Sequence, residues 1–327
     1  MKQHRILIRA TNWVGDAVMC LPALRAIRER YPDSHIAIVA KPWVADLYAR
    51  ESFSDEVILY RANTISEKIH FAWALRERKF DQAILLQNAF EAALIARLAG
   101  IPQRIGYSRD GRAALLTTAV RPPKKDELPA HERFYYLELL RRAGILESFG
   151  DQEDIRLEGA RAGRTAIIGV SPGAAYGSAK RWIPERFAHA AAELARTRQA
   201  SIALFGSKDE RTLCEEVAAM LSGHHVTNYA GQTTLAQFIE LAASCEVFLT
   251  NDSGAMHISS ALGVPTVAIF GATDHLATGP TGTHSRVVRE PVECSPCLLR
   301  ECPIDHRCMT AVSSERVVQE ALHLLKT

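Results

Sequence analysis

Three polar clusters, each set just after an apolar run, carry side chains able to do chemistry. In the most informative, Thr250-Asn251-Asp252-Ser253-Gly254 interrupts the run Val247 to Leu249, and a second run, Val264 to Phe270, begins only after Gly263. Asp252 or Ser253 can cap the helix that follows, and Gly254 lets another group approach the backbone. The free N–H groups and the positive end of the helix dipole then form an anion site, with His257 four residues into the helix. Alone, the segment also fits an ordinary capped turn with a packed histidine. The second cluster runs from Ser171-Pro172-Gly173 to Lys180-Arg181-Trp182 and sets small residues beside two cations. A glycine-containing turn with a nearby lysine suits phosphate, but it lacks the Gly-Lys-Ser/Thr ending of an ATPase P-loop. The third, Thr11-Asn12-Trp13-Val14-Gly15-Asp16, offers a carboxylate at a helix start. Its single glycine, where a dinucleotide fingerprint needs three, argues against a nicotinamide or flavin enzyme. Asp16 is either a partner for the helix dipole or a general base.

All three clusters require a strand before them and a helix after them. The first half alternates these elements: strands at Arg5 to Thr11, His35 to Lys41, Glu56 to Tyr60, Asp81 to Gln87 and Arg104 to Tyr107 interleave with helices at Gly15 to Tyr31, Trp43 to Glu51, Ile65 to Lys79 and Phe90 to Ala99. Residues 108–130, with Pro122, Pro123 and several charges, read as a long mobile loop before a helix at His131 to Ala143. Glu147 to Gly163 reads as a linker, which divides the chain into domains at 1–155 and 156–327. The alternation then restarts, with strands at Thr165 to Val170, Ser201 to Phe205 and Val226 to Tyr229 and helices at Pro184 to Arg196, Asp209 to Leu221 and Leu235 to Ala243. Two such blocks imply an α/β protein of two doubly wound, Rossmann-like domains facing each other across a cleft, with ligands beyond the strand ends. No sequence repeat relates the blocks. Ser313 to Leu325 is helical in pattern and is expected to pack back on the first domain.

Length and composition agree with two soluble domains: 327 residues, 47% hydrophobic and 23% charged. No apolar run approaches a membrane span and the start is too short for a signal peptide, so a cytoplasmic protein is expected. The net charge of +2 conceals an asymmetry. Residues 1–150 hold 23 Lys and Arg against 17 Asp and Glu, a surplus of +6, whereas residues 151–327 hold 16 against 20, or −4. Such a split suggests that the halves meet different ligands.

Taken together, the motifs resemble the lipopolysaccharide heptosyltransferases of glycosyltransferase family 9. The resemblance rests on Asn12-Trp13-x-Gly15-Asp16-x-Val18-Met19 with Leu21-Pro22-Ala23-Leu24, and on Pro172-Gly173 with Lys180-Arg181-Trp182. It continues in Asn251-Asp252-Ser253-Gly254-x-x-His257 and in Phe270-Gly271-Ala272-Thr273-Asp274 with Gly279-Pro280. These segments span nearly the whole chain in the family's order, and Asn12-Trp13 resembles the family's heptosyltransferase II branch. The resemblance implies the GT-B architecture, with the acceptor on the first domain and the nucleotide sugar on the second. It implies inverting transfer of heptose from ADP-L-glycero-D-manno-heptose to the first heptose of an inner core carried on Kdo and lipid A, with no required cofactor. Asp16 would be the general base and Lys180 the group that offsets charge on the departing diphosphate. Asn12, Trp13, Gly15, Ser171, Gly173, Asp252, Ser253, Gly254, Ala255 and His257 would line the substrates, and Glu210 is the candidate nucleoside contact. The resemblance also implies peripheral contact with the inner face of the cytoplasmic membrane and no nucleic-acid partner. The alternatives are another nucleotide-sugar-dependent GT-B transferase and a non-catalytic nucleotide-sugar-binding protein.

Two further features invite interpretation. Cys294-x2-Cys297-x4-Cys302-x5-Cys308 encloses His306, but the spacing does not match two separated C-x2-C pairs, and no metal is expected. Arg104, Arg109, Arg112, Lys124 and Lys125 lie in or beside the 108–130 loop and are expected either to face water or to grip an anionic acceptor, with Arg109 and Arg112 as its candidate contacts.

Overall fold

A computed structural model describes residues 3–124, 126–151, 155–158 and 163–326. Lys125 and parts of the 147–163 linker therefore lie outside the described residues. The chain divides into two compact units, Met1–Glu153 and Asp154–Thr327.

In the first unit the elements are β1 (Arg5–Arg9), α1 (Val14–Met19), α2 (Leu21–Arg30), β2 (His35–Ala40), α3 (Pro42–Ala49), β3 (Glu56–Leu59), α4 (Ile65–Glu77), β4 (Gln82–Leu85), α5 (Phe90–Leu98), β5 (Gln103–Tyr107), β6 (Thr118–Val120) and α6 (Arg133–Arg142). All strands pair in parallel in the order β3-β2-β1-β4-β5-β6. The strand order reverses between β1 and β4, which opens a crevice at their carboxyl ends, and α1 starts just beyond β1. The helix expected over Gly15 to Tyr31 is broken at Cys20. Pro22, in the first turn of α2, has no N–H to continue the ladder from α1.

The second unit holds β7 (Ile167–Ser171), α7 (Pro184–Arg198), β8 (Ser201–Leu204), α8 (Arg211–Ala219), β9 (Val226–Asn228), α9 (Leu235–Ala243), β10 (Val247–Asn251), α10 (Gly254–Ala261), β11 (Thr266–Ile269), α11 (His275–Thr278), β12 (Ser285–Val288), α12 (Arg307–Thr310) and α13 (Ser314–Leu324). Its parallel order is β12-β11-β10-β7-β8-β9. This is the winding of the first unit, reached with no sequence repeat, and its reversal falls between β7 and β10. The two polar clusters of this unit therefore leave adjacent strands. Their ends are in register, Ser171 opposite Thr250.

The core of the second unit draws Ile168, Val170, Leu249, Val267 and Trp182 together with Val317, Val318, Ala321 and Leu324 of α13. In this unit α13 packs against α7, β11 and β12. Its apolar face is used up covering the second sheet.

The segment 108–130 is also corrected. It contains β6, a strand of three residues whose brevity hid it among glycine, proline and charged neighbours. Arg112 is not a solvated cation of this loop but is 0% exposed. Its guanidinium donates to Tyr107 O at 2.8 Å, to Asn88 Oδ1 at 2.9 Å, to Ala89 O at 3.4 Å and to Gln87 O, pinning the loop to the ends of β4 and β5. Arg104 donates to Leu115 O at 2.7 Å and to Ile101 O, so it too is structural. Removing Arg112 would leave buried acceptors unpaired at once. Arg112→Ala is expected to cost about 2–4 kcal/mol in denaturant-induced unfolding, against within about 0.5 kcal/mol for the exposed Arg109→Ala.

Candidate active site

On the second unit the site is built around Asn251, fully buried at the end of β10. Its Nδ2 donates to Pro172 O at 2.7 Å, and its Oδ1 accepts from Trp182 N at 2.9 Å. One carboxamide thus holds both ends of the 172–182 turn. The next residue, Asp252, accepts from Lys180 Nζ and from Thr273 Oγ1, both at 2.5 Å on the same Oδ2. Lys180 and Asp252 are only 13% and 4% exposed, so this is not a surface ion pair. The lysine also lies over the Tyr176 ring, 4.9 Å from its centroid.

Neither Asp252 nor Ser253 caps α10 as expected. Asp252 is engaged by Lys180 and Thr273, and Ser253 Oγ sits 3.2 Å from Thr250 Oγ1. Ser253 is the N-terminal boundary residue, but no side-chain hydrogen bond caps the helix. The amides of Gly254 and Ala255 therefore open α10 without a side-chain acceptor, with the positive end of the helix dipole beside them and Lys180 close by. His257 is buried within the same helix. Gly173 has a steric reason to lack a side chain, because a Cβ there would collide with the carboxylate of Glu210. That carboxylate accepts from Ser207 N at 2.7 Å, so the turn after β8 is drawn against the turn after β7.

The cysteine-rich segment braces the Lys180 turn from outside. Ala179 N donates to Arg300 O at 3.0 Å, Tyr176 OH donates to Leu298 O at 2.8 Å, and His306 Nε2 lies 3.0 Å from Ala179 O. Gly177 permits this approach, since a Cβ there would strike the Arg300 carbonyl. Among the described residues no group of three or more His, Cys, Asp or Glu side chains is arranged to hold a metal ion.

On the first unit Asp16 is the third residue of α1, and its Oδ1 accepts from Tyr136 OH of α6 at 3.3 Å. The helix start was expected to favour the carboxylate. Instead, burial raises the Asp16 pKa above the ordinary aspartate value, against the opposing effect of the Tyr136 hydrogen bond. A helix of six residues offers a weak dipole, and desolvation outweighs it. Glu132 is raised as well, by burial first and then by the Asp16 charge. Trp13 and Trp43 are exposed, and the Asn12 carbonyl accepts from Trp43 Nε1 at 2.8 Å. The Asn12 Oδ1 atom is buried with no hydrogen-bond partner among the described residues. Arg109 is exposed, and its guanidinium is held in the charged form chiefly by a hydrogen bond with Tyr135.

Residues 69–307 match the model of glycosyltransferase family 9, the heptosyltransferases. The chain belongs to that family. It is 33% identical to lipopolysaccharide heptosyltransferase 2 of Salmonella typhimurium over 309 residues, covering 87% of this chain and 88% of that protein. It is 30% identical to lipooligosaccharide heptosyltransferase 2 of Campylobacter jejuni, with 98% of both chains covered. Its fold superposes on the structure of E. coli ADP-heptose lipopolysaccharide heptosyltransferase II with a TM-score of 0.84, at 29% identity and 98% coverage of each chain. The chain is accordingly a glycosyltransferase with the GT-B fold of the family's heptosyltransferases.

Read as a family 9 transferase, the chain brings most of its candidate residues into two groups. Ser171, Gly173, Lys180, Glu210, Asp252, Ser253, Gly254, Ala255 and His257 gather at the β7/β10 reversal, while Asn12, Trp13, Gly15 and Asp16 gather beyond β1. Arg112 leaves the candidate set, and Asn251, Thr273, Tyr176 and Tyr136 join it. Asn251, Tyr176 and Thr273 stand inside motifs already singled out, so only their roles were missed. Tyr136 lies 120 residues from its partner and nothing local marks it.

The raised pKa has consequences of definite sign. An acid whose folded pKa exceeds its unfolded value contributes stability when protonated and loses it as pH rises through the folded pKa. Ionised Asp16 therefore weakens the fold at neutral pH, and Asp16→Asn is expected to melt at or above the wild-type temperature. The acidic limb of kcat/KM should lie above that of an ordinary aspartate. Tyr136→Phe, which removes a hydrogen bond to the carboxylate, should move that limb to still higher pH; a limb unchanged in a pH–rate profile would deny the contact.

Proposed function

We propose that this heptosyltransferase transfers L-glycero-D-manno-heptose from its ADP-activated form to the first heptose of a lipid A–Kdo inner core, inverting the anomeric carbon, with the second unit holding the donor and the first the acceptor. The observation that carries the donor assignment is the joining of Lys180, Asp252 and Thr273 beside the opening amides of α10 at the strand reversal. A diphosphate needs focused donors more than overall positive charge, so the acidic balance of this half is no obstacle. Asp252 holds Lys180 ready, and the lysine's flexible stem lets its ammonium follow charge onto the phosphate oxygens. The names of the relatives favour heptose as the sugar and a lipopolysaccharide or lipooligosaccharide as the acceptor, and the E. coli neighbour favours ADP as the carrier.

The chemistry is a single displacement. The acceptor hydroxyl oxygen attacks the anomeric carbon as the bond from that carbon to the β-phosphate oxygen breaks, and ADP leaves with the bonding electron pair. The hydroxyl proton passes to the Asp16 carboxylate. Desolvation makes Asp16 a stronger base than a solvated aspartate, and the hydroxyl grows more acidic as its oxygen bonds to the electron-poor centre. Lys180 and the α10 amides take up the charge on the leaving diphosphate. These groups supply base and charge compensation without calling on a cofactor. The exposed Trp13 and Trp43 rings offer flat faces to a sugar.

Thermal shift against a panel of nucleotide sugars tests the donor, because a ligand that binds only the folded state stabilises it according to its affinity. A selective rise with ADP-heptose is expected; a preference for UDP or GDP sugars would overturn the assignment. Among variants, Asp16→Asn should retain donor affinity and lose about 10²-fold or more in turnover, the scale of a lost general base. Lys180→Ala should lower turnover strongly and weaken donor binding measured directly, since it removes the cation and leaves Asp252 facing the phosphates.

A further inference from the structure

The outer face of α4 departs from the pattern of a helix covering a sheet. Of its 13 residues only Ala72 and Leu75 are fully buried, while Ile65, Ile69 and Trp73 are exposed at i, i+4 and i+8. That spacing aligns them in one stripe. Ile65 is 77% and Trp73 57% exposed. The neighbouring α5 repeats the arrangement: Phe90 and Leu98 are exposed and Leu94 half-buried, again at i, i+4 and i+8. The two helices pack against each other, joined near their starts by the Lys68–Glu91 ion pair, and Arg76 near the end of α4 approaches Gly100 just beyond α5. They therefore run side by side with six apolar side chains on two outward stripes. Single exposed apolar residues are ordinary, but two aligned rows on adjacent helices are not.

Charge accompanies the stripes. Arg61 stands exposed before α4, and Arg76 and Arg97 are exposed near the far ends of the two helices. Nearby acids are largely occupied: Glu67 folds back onto the Asn63 and Thr64 amides, and Glu91 is engaged by Lys68 and Tyr60. An apolar strip carrying a tryptophan and bordered by cations matches the boundary of an anionic bilayer, where an indole sits at headgroup depth and arginines meet phosphates. No helix of the described residues is long and apolar enough to cross a membrane, so the match is to a surface.

We infer that the α4–α5 face docks the first unit on an anionic lipid surface, through Ile65, Ile69, Trp73, Phe90, Leu94 and Leu98. The choice of a lipid surface as occupant rests on the function proposed above, because an acceptor anchored by lipid A must be met at the membrane. The six-residue surplus of positive charge in residues 1–150 acts in the same direction.

The test is co-sedimentation of the full chain, without substrates, with vesicles of phosphatidylethanolamine and phosphatidylglycerol and with vesicles of phosphatidylcholine alone. The wild type should partition onto the anionic vesicles. Ile65→Ser, Ile69→Ser and Trp73→Ser combined should weaken that partition by about tenfold or more, while the exposed Met220→Ser of the second unit should not change it. The triple variant should keep the wild-type melting temperature and its rate on a delipidated, water-soluble acceptor. Wild-type protein that ignores anionic vesicles, or a triple variant that binds them undiminished, would overturn the inference. So would a concentration-dependent dimer that the triple variant abolishes without any change in vesicle binding, since a second copy would then occupy the face. Vesicle binding with no heptose transfer would overturn the function and leave the docking surface standing; transfer without vesicle binding would do the reverse.

Discussion

A buried carboxamide with no solvent to satisfy it must find protein partners, and Asn251 finds them in the turn after β7. Its amide group bonds Pro172 O and Trp182 N, fixing the end of β10 to both ends of the turn that carries Lys180. The neighbouring contacts are arranged about this tie. Lys180 reaches Asp252 because the turn is closed, Thr273 reaches the same oxygen from beyond β11, and α10 starts where Asn251 ends its strand. The hydrophobic core fixes the strands, but strands alone leave turns free to move. Buried polar groups that have only one way to be satisfied make the loops as determinate as the sheet.

The two units solve opposite electrostatic problems on one topology. In the second, the Asp252 carboxylate sits beside a cation and a hydroxyl, so its charge is compensated and Lys180 is held at the strand reversal. In the first, Asp16 is partly desolvated and accepts from the Tyr136 hydroxyl; desolvation prevails, which makes the carboxylate more basic than a solvated aspartate and costs the fold stability once it is ionised. A partly desolvated carboxylate that no cation pairs with among the described residues is difficult to explain as a structural device, since an asparagine would fill the place with less strain on the fold. It is easily explained as a base.

Much of this was legible from the chain. Alternating apolar runs marked both sheets, since parallel strands buried on both faces leave unbroken runs of Val, Ile and Leu, as in Ile6-Leu7-Ile8 and Val247-Phe248-Leu249. The polar clusters were legible because strand ends at a reversal collect short, hydrogen-bonding residues and glycine. What escaped was non-local or too short. β6 has three residues, β12 four, and neither stands out against its neighbours. Arg112 looked like a solvated charge because its type says nothing of the four acceptors that fold around it. The raised pKa of Asp16 is hidden for a related reason: a helix start is visible in sequence, whereas desolvation depends on packing that sequence does not display, and the Tyr136 contact comes from far along the chain.

The charge asymmetry between the halves takes on a different meaning once the individual cations are followed. Arg9 is buried over the Tyr60 ring at 4.7 Å, Arg104 and Arg112 bind carbonyls, and Arg28 donates to Phe53 O and Ser34 O, so several of the first unit's cations serve its own backbone. The surplus that reaches solvent is smaller than the total, and part of it borders the apolar stripes of α4 and α5. In the second unit the excess of acid is dispersed, and the few groups at the β7/β10 reversal are set by contact rather than by the field of the whole domain. Net charge therefore describes the approach of a ligand over a Debye length or so, while the proposed reaction turns on two local settings, Lys180 held by Asp252 and the partly desolvated Asp16. The same fold can serve both because its strand-end loops, unlike its sheets, are free to differ between the two copies.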